Sequence, residues 1–127
     1  MSITFKTIND TYGHVTGDYV LKTVAQLIIQ GLRTEDVLCR YGGEEFSTLL
    51  KETDAEEALM VAERIRTLVA DHRFEHQDKQ FNVTVSLGIA TLKNGNFSNH
   101  HDFVQMADRY LYAEKQAGRN RTGCAPV

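Results

Sequence analysis

The chain has no tryptophan, one proline and two cysteines among its 127 residues. Cys39 and Cys124 are too few for a disulfide scaffold and fit no metal-ligand spacing. A reducing, cytoplasmic setting is expected, with stability supplied by a buried core rather than by cross-links. No apolar run reaches membrane-spanning length and no secretory leader is visible, so no membrane contact is expected from this chain. An excess of positive charge is also lacking. The net charge of −3 argues against binding a nucleic acid polymer through overall charge. A small anionic ligand needs only two or three local cations and stays open.

The chain does have the composition of an ordinary globular protein, 42% hydrophobic and 24% charged. Its length suits one domain, residues 1–127, with a core of its own. Residues 4–12 read as a helical turn leading into a loop. From Asp18 to about Leu32, Val20, Leu21, Val24, Leu27, Ile28 and Leu32 recur at helical spacing, with Thr16, Gly17 or Asp18 as cap. A second helix runs from Asp54 to about His72, capped by Thr53 or Asp54 and burying Ala58, Ala62, Ile65, Leu68 and Val69. Residues 81–90 alternate and are β-branched, predicting a strand, with Arg73 to Glu75 as a short antiparallel partner. A third helix is expected from Asp102 to about Ala117, burying Phe103, Val104, Ala107, Tyr110 and Leu111, with Gly118 after its end. Pro126 confines any last strand to an edge or an end.

The most informative stretch is Arg40-Tyr41-Gly42-Gly43-Glu44-Glu45-Phe46, lying between strand-like runs near 37–41 and 45–51. Gly-Gly between strands is a two-residue hairpin signal, because primed turns need positive φ. The turn presents Glu44 and Glu45 at a strand start, where successive side chains point to opposite faces. On its own this is an ordinary solvated turn. Its neighbours change the reading.

Phe5-Lys6-Thr7-Ile8-Asn9-Asp10-Thr11-Tyr12-Gly13-His14 with Gly17-Asp18 precedes the hairpin. Val83 to Ala90, Ala107-Asp108 and Tyr112 to Asn120 follow it. In this order and spacing the blocks resemble the GGDEF domain of diguanylate cyclases, in its Gly-Gly-Glu-Glu-Phe form. The resemblance covers Phe5 to about Arg121. It implies an α/β fold, an α+β sandwich of the ferredoxin-like, nucleotide-cyclase palm type, whose antiparallel-rich central sheet is flanked by helices. It also implies the condensation of two GTP into cyclic di-GMP, one GTP per domain of a homodimer.

The same resemblance implies residue roles. Asn9 and Asp18 read guanine; a carboxylate accepts both N1–H and N2–H, a donor pair that adenine lacks. The ordinary alternatives are a turn cap for Asn9 and a helix cap for Asp18. Lys115 and Arg119, four apart on one helix face, would bind phosphates with Lys6, the backbone around Thr4 and Phe5 lining the same loop. The alternative is cations favoured at a helix C-terminus. Gly42 and Gly43 allow close approach of ribose and α-phosphate. Glu44 matches the ligand of the catalytic cation, Mg²⁺ or Mn²⁺, and Glu45 a catalytic position of less defined role. Arg33 and Asp36 match a product-inhibition site for cyclic di-GMP, the alternative being a surface ion pair. His100-His101 lacks a third ligand and reads as a solvated loop.

One departure qualifies the resemblance. The first family strand ends in Asp-x-Asp, and the matching positions here are Met1 and Ile3. The first strand is therefore expected to be largely missing, leaving sheet edges open to strand exchange between chains. Without its carboxylate partner Glu44 should hold a cation poorly, and this chain is expected to be inactive as it stands. Truncation of an active parent, which other domains could anchor to a membrane, and a catalytically silent module binding GTP or cyclic di-GMP both account for the departure.

Overall fold

The first residues of the chain occupy the middle of the sheet. The computed structural model describes residues 1–7, 13–92 and 97–126. In order, the elements are β1 (Ser2–Thr7), α1 (Gly13–Gly31), β2 (Val37–Gly42), β3 (Glu45–Leu49) and α2 (Ala55–Asp71). They continue with β4 (Phe74–His76), β5 (Lys79–Phe81), β6 (Val83–Gly88), α3 (His100–Gln116) and β7 (Thr122–Gly123). The main sheet has the order β2-β3-β1-β6-β7 and is antiparallel except for β6–β7; β4 and β5 form a separate hairpin.

A largely missing first strand is thus corrected, and so is a helical turn at residues 4–7; residues 8–12 lie outside the described residues. Ser2, Ile3, Thr4 and Phe5 alternate small polar with large apolar side chains, the period of a strand, and all four are buried, so both faces of this strand are covered. Ile3 is completely buried and Phe5 nearly so. Ser2 to Thr4 pair with Ser47 to Glu45 on one side, and Ser2 to Thr7 pair with Gly88 to Val83 on the other. The Met1 amine donates to the Thr48 carbonyl, and the Thr48 N–H donates to the Met1 carbonyl, both at 2.8 Å. The open edges invoked for strand exchange are therefore filled by the chain itself.

Helices α1 and α2 cover one face. Val20, Val24, Leu27 and Ile28 of α1, with Ala58, Val61, Ala62, Ile65 and Val69 of α2, meet Ile3, Phe5, Phe46, Val83, Val85 and Leu87. The expected residues Leu21, Leu32 and Leu68 are only half-buried, at the margins of these stripes. Asp54 caps α2, its Oδ1 accepting from the Glu57 N–H at 2.8 Å. Helix α1 starts at Gly13, earlier than expected, so Asp18 lies inside the helix and is not its cap. The strand expected over 81–90 is split, and β4 pairs with β5 through Gln77 and Asp78 in left-handed conformation (φ 52° and 64°).

Helix α3 covers the other face. It starts at His100, capped by Asn99, whose Oδ1 accepts from the Asp102 N–H at 2.9 Å. The two histidines are exposed in its first turn and not in a loop. Gly88 explains why only Ala107 and Leu111 are buried on α3, with Phe103, Val104 and Tyr110 half-buried. A Cβ on Gly88 would lie 2.1 Å from the Ala107 carbonyl oxygen and 2.4 Å from the Leu111 nitrogen. Helix backbone rests directly on strand backbone there, and the flanking side chains splay outward. Among the described residues no helix is long and apolar enough to cross a membrane.

Replacing Gly88 by Val should therefore force α3 off the sheet. We expect a loss of roughly 3 kcal/mol, at the upper end of overpacking costs, read as a lower urea midpoint. A midpoint equal to that of the parent protein would contradict this packing.

Candidate functional site

The β2–β3 hairpin keeps register from Val37 opposite Leu49 to Arg40 opposite Phe46, then shifts so that Gly42 faces Glu45. Tyr41 is the bulged residue, and the two-residue turn is Gly43-Glu44 rather than Gly-Gly. Gly42 and Gly43 have φ of 138° and 55°, and a Cβ at either would meet no atom within 4 Å. The turn requires glycine for its backbone, and it leaves open space above itself. Arg40 clamps the tip, its Nε and Nη2 donating to the Gly43 carbonyl at 3.3 and 3.0 Å. The tip is tied to the central strand by the Phe5 N–H and the Thr4 hydroxyl, which donate to the Glu44 carbonyl at 3.3 and 3.4 Å.

Glu44 is exposed at the tip, and Glu45 begins β3 opposite Thr4, on the α3 face. Glu45 lines a small cleft with Ser2, Tyr41, Ser47 and Asp108. Asp108 of α3 accepts a 2.5 Å bond from the Ser2 hydroxyl. Asp108 lies in the Ala107-Asp108 block, where the resemblance implies no role for it. Its partner is 106 residues away in the chain, and only folding brings them together.

Register shows which expected residues converge. Ser2, Thr4 and Lys6 oppose Gly88, Ser86 and Thr84 along one face. Asp108 touches that face at Ser2, and the Asn120 N–H, beyond the end of α3, donates to Ser86 Oγ at 3.1 Å. Helix α3 therefore runs from the Ser2 end of β1 towards the Lys6 end, where the hairpin tip also lies. Lys6, Gly42, Gly43, Glu44, Lys115 and Arg119 gather towards this end of the sheet. Asp18 is exposed in the first half of α1, which follows β1, and Asn9 lies outside the described residues. The backbone of Thr4 and Phe5, expected in a phosphate loop, is part of the sheet ladder.

Arg33 and Asp36 sit at the opposite end, before β2. Five residue steps of strand, roughly 17 Å, separate that end of β2 from the tip. The Arg33 guanidinium grips Asp36 with both Nε (3.1 Å) and Nη2 (3.0 Å), and the Arg33 N–H adds a third bond at 2.9 Å. Nη2 also donates to the Lys51 carbonyl at 3.0 Å and to the Thr53 hydroxyl. The Asp36 side chain is fully enclosed, whereas that of Arg33 stays 31% exposed. Burial alone would raise the Asp36 carboxyl, but the Arg33 bonds and charge hold it below its ordinary range. Lys51 and Thr53 were not legible as partners, being brought in across the hairpin.

Among the described residues the donor set does not build a cation site. Met1 and Ile3 carry no carboxylate, Ile3 is buried in the core, and among the described residues no three His, Cys, Asp or Glu cluster to hold an ion. Glu44 and Glu45 are adjacent residues in a turn and a strand, too few for an oxygen cage of their own.

The profile of the family described as "Diguanylate cyclase, GGDEF domain" matches residues 3–121. The chain belongs to this family. It is 46% identical over 117 residues to diguanylate cyclase A of Treponema denticola, covering 92% of this chain and 31% of that protein. It is 40% identical over 118 residues to the response regulator PleD of Caulobacter vibrioides, covering 91% and 26%. The domain thus spans about a third or less of these relatives. Among solved structures, the GGDEF domain of DgcB from Caulobacter crescentus, in complex with c-di-GMP, superposes with a TM-score of 0.85 at 32% identity, over 97% of this chain and 75% of that one. The active GGEEF domain of a diguanylate cyclase from Vibrio cholerae gives 0.81 at 31% identity, over 99% and 82%. The mixed sheet with three helices is the GGDEF fold, and this domain has the Gly-Gly-Glu-Glu-Phe form of its motif.

Two carboxylates couple the stability of this GGDEF domain to pH. Asp36 is held low as described, and Glu63 is held low mainly by its bonds from Arg66, with help from Thr122. Their folded pKa values lie below the unfolded ones, so their stabilisation is present above about pH 4 and is lost as pH falls through the lower folded values. We expect the urea midpoint to fall below about pH 4, and to fall less steeply in Asp36→Asn. Equal slopes in the two proteins would reject the coupling.

Proposed function

We propose that this GGDEF domain serves cyclic di-GMP signalling as a guanine-nucleotide domain. GTP is received at the hairpin end of the sheet, cyclic di-GMP at the Arg33–Asp36 end. The lineage's reaction is the condensation of two GTP, which requires two domains facing each other and so a homodimer. In the chain as it stands, the proposal is binding without turnover. One observation carries this reading: the hairpin is intact and open above its glycines, while the adjacent central strand has Met1 and Ile3 where aspartates would stand.

Each binding role has a physical basis. Asp18 is exposed and is not spent on capping α1, so its carboxylate is available to the N1–H and N2–H edge of guanine, alongside Asn9. Lys115, in the last turn of α3, and Arg119 just beyond it supply a point charge and a planar fork for phosphate oxygens, with Lys6 on the neighbouring strand. Gly42 and Gly43 leave room for ribose and α-phosphate, and Glu44 and Glu45 flank them. Mg²⁺ or Mn²⁺ would arrive with the nucleotide. At the far end, the exposed part of the Arg33 fork meets a guanine of cyclic di-GMP while Asp36 holds the fork in plane.

The test is calorimetry and product analysis on the purified protein. With GTP and Mg²⁺ no cyclic di-GMP should accumulate, while GTP binds saturably and at least about tenfold tighter than ATP. Asp18→Ala should erase that preference. Arg33→Ala should abolish cyclic di-GMP binding and leave GTP binding in place. Product formation would overturn the silent reading, and absence of both ligands from the protein would overturn the whole.

A further inference from the structure

The turn after α3 is held by three elements at once. Gly118, Arg119 and Asn120 are consecutively left-handed, with φ of 125°, 64° and 49°. Arginine gains nothing from that region, which costs an L-residue with a long side chain about 1 kcal/mol or more. Such a conformation persists only where the surroundings over-determine it. Here the Arg119 N–H donates to the Glu114 carbonyl at 2.9 Å, closing the helix end. One residue later the Asn120 N–H donates to Ser86 Oγ of β6, a side chain 2% exposed. The Asn120 side-chain oxygen accepts from Arg66 Nη1 of α2 at 3.2 Å.

Arg66 is itself fixed. Its Nε and Nη2 donate to the two carboxylate oxygens of Glu63 at 2.8 and 3.2 Å, and Glu63 also accepts from the Thr122 hydroxyl of β7 at 2.9 Å. A bidentate pair on α2 thus holds both the residue directly after Arg119 and the strand that follows. Helix α2 lies with α1 on the face opposite α3, so these bonds pass around the β7 edge of the sheet.

We propose that Arg66, set by Glu63 and acting through Asn120, is a positioning residue for the phosphate grip of Arg119. This rests on the reading of Arg119 as a phosphate ligand. Arg66 itself touches no nucleotide. Without it, the Asn120 side chain loses its anchor and the left-handed Arg119 keeps only the two backbone bonds to Glu114 and, through Asn120, to Ser86, so the turn is held less firmly. The guanidinium would then no longer be presented in one place, and the phosphates would lose it while the base kept its own contacts.

The experiment compares GTP with guanosine, which lacks phosphates, by calorimetry on the full chain. Arg66→Ala and Asn120→Ala should each weaken GTP about tenfold, the scale of losing one charge-assisted contact, and leave guanosine within twofold. Asn120→Asp keeps an acceptor for Arg66 and a residue tolerant of the left-handed region, so it should retain GTP affinity. That contrast remains readable even if Arg66→Ala fails to fold. Equal weakening of GTP and guanosine, or no weakening of either, would overturn the inference. Arg119→Ala separates the two layers: if it leaves GTP affinity unchanged, or if the parent protein binds no GTP, the phosphate reading itself falls. If Arg119→Ala weakens GTP and both Arg66→Ala and Asn120→Ala do not, only the positioning role falls.

Discussion

A strand in the middle of a sheet must satisfy its backbone donors and acceptors on both sides, and β1 does this with the first residues of the chain. Its pairing with β3 on one side and β6 on the other joins the hairpin to the rest of the domain. The Glu44 carbonyl is held by Phe5 and Thr4, so the motif tip is braced by the central strand. The same strand places Ile3 and Phe5 in the core and Ser2 beside Asp108 of α3. Without β1 the hairpin would lose its inner neighbour, and α3 would lose one of the strands it rests on.

The two candidate ligand ends share the hairpin as a common part. β2 and β3 begin and end at the Arg33–Asp36 cluster and turn at Gly43-Glu44, with the register shifting at Tyr41 between the two ends. The Arg33 end is tightly satisfied, with Asp36 enclosed and Lys51 and Thr53 closing around the guanidinium. The tip end is open, with unfilled space above both glycines. The hairpin thus has one anchored end and one open end.

Much of the domain was legible in the chain. The apolar periodicities placed the helices, the Asp54 cap was readable from its neighbours, and the spacing of the blocks around Gly42 to Phe46 identified the family. Errors arose where local pattern and sheet pairing disagreed. Residues 4–7 read as a turn because a six-residue segment near a terminus has too little periodicity of its own, whereas two waiting neighbours make it a strand. The start of α1 lies before Asp18 because Thr16, Gly17 and Asp18, which read as caps, stand inside a helix that begins at Gly13. The Gly-Gly turn shifted by one residue because a bulge at Tyr41 alters which residues oppose each other, and the preference for positive φ does not report register.

What the sequence determined by itself was the family, the three helices with the hairpin between the first two, and the residue types available to a guanine nucleotide, because these follow from periodicity, glycine placement and motif spacing. What only the tertiary structure decided was assembly: which strand fills the centre, which end each candidate residue faces, and that Asn120 and Asp108 are bonded within the protein. Hydrogen bonds between residues 34 to 106 positions apart, such as Asn120 to Ser86, Arg66 to Asn120 and Ser2 to Asp108, leave no trace in local pattern. They exist because the packing of α2 and α3 against opposite faces of the sheet brings these side chains within reach.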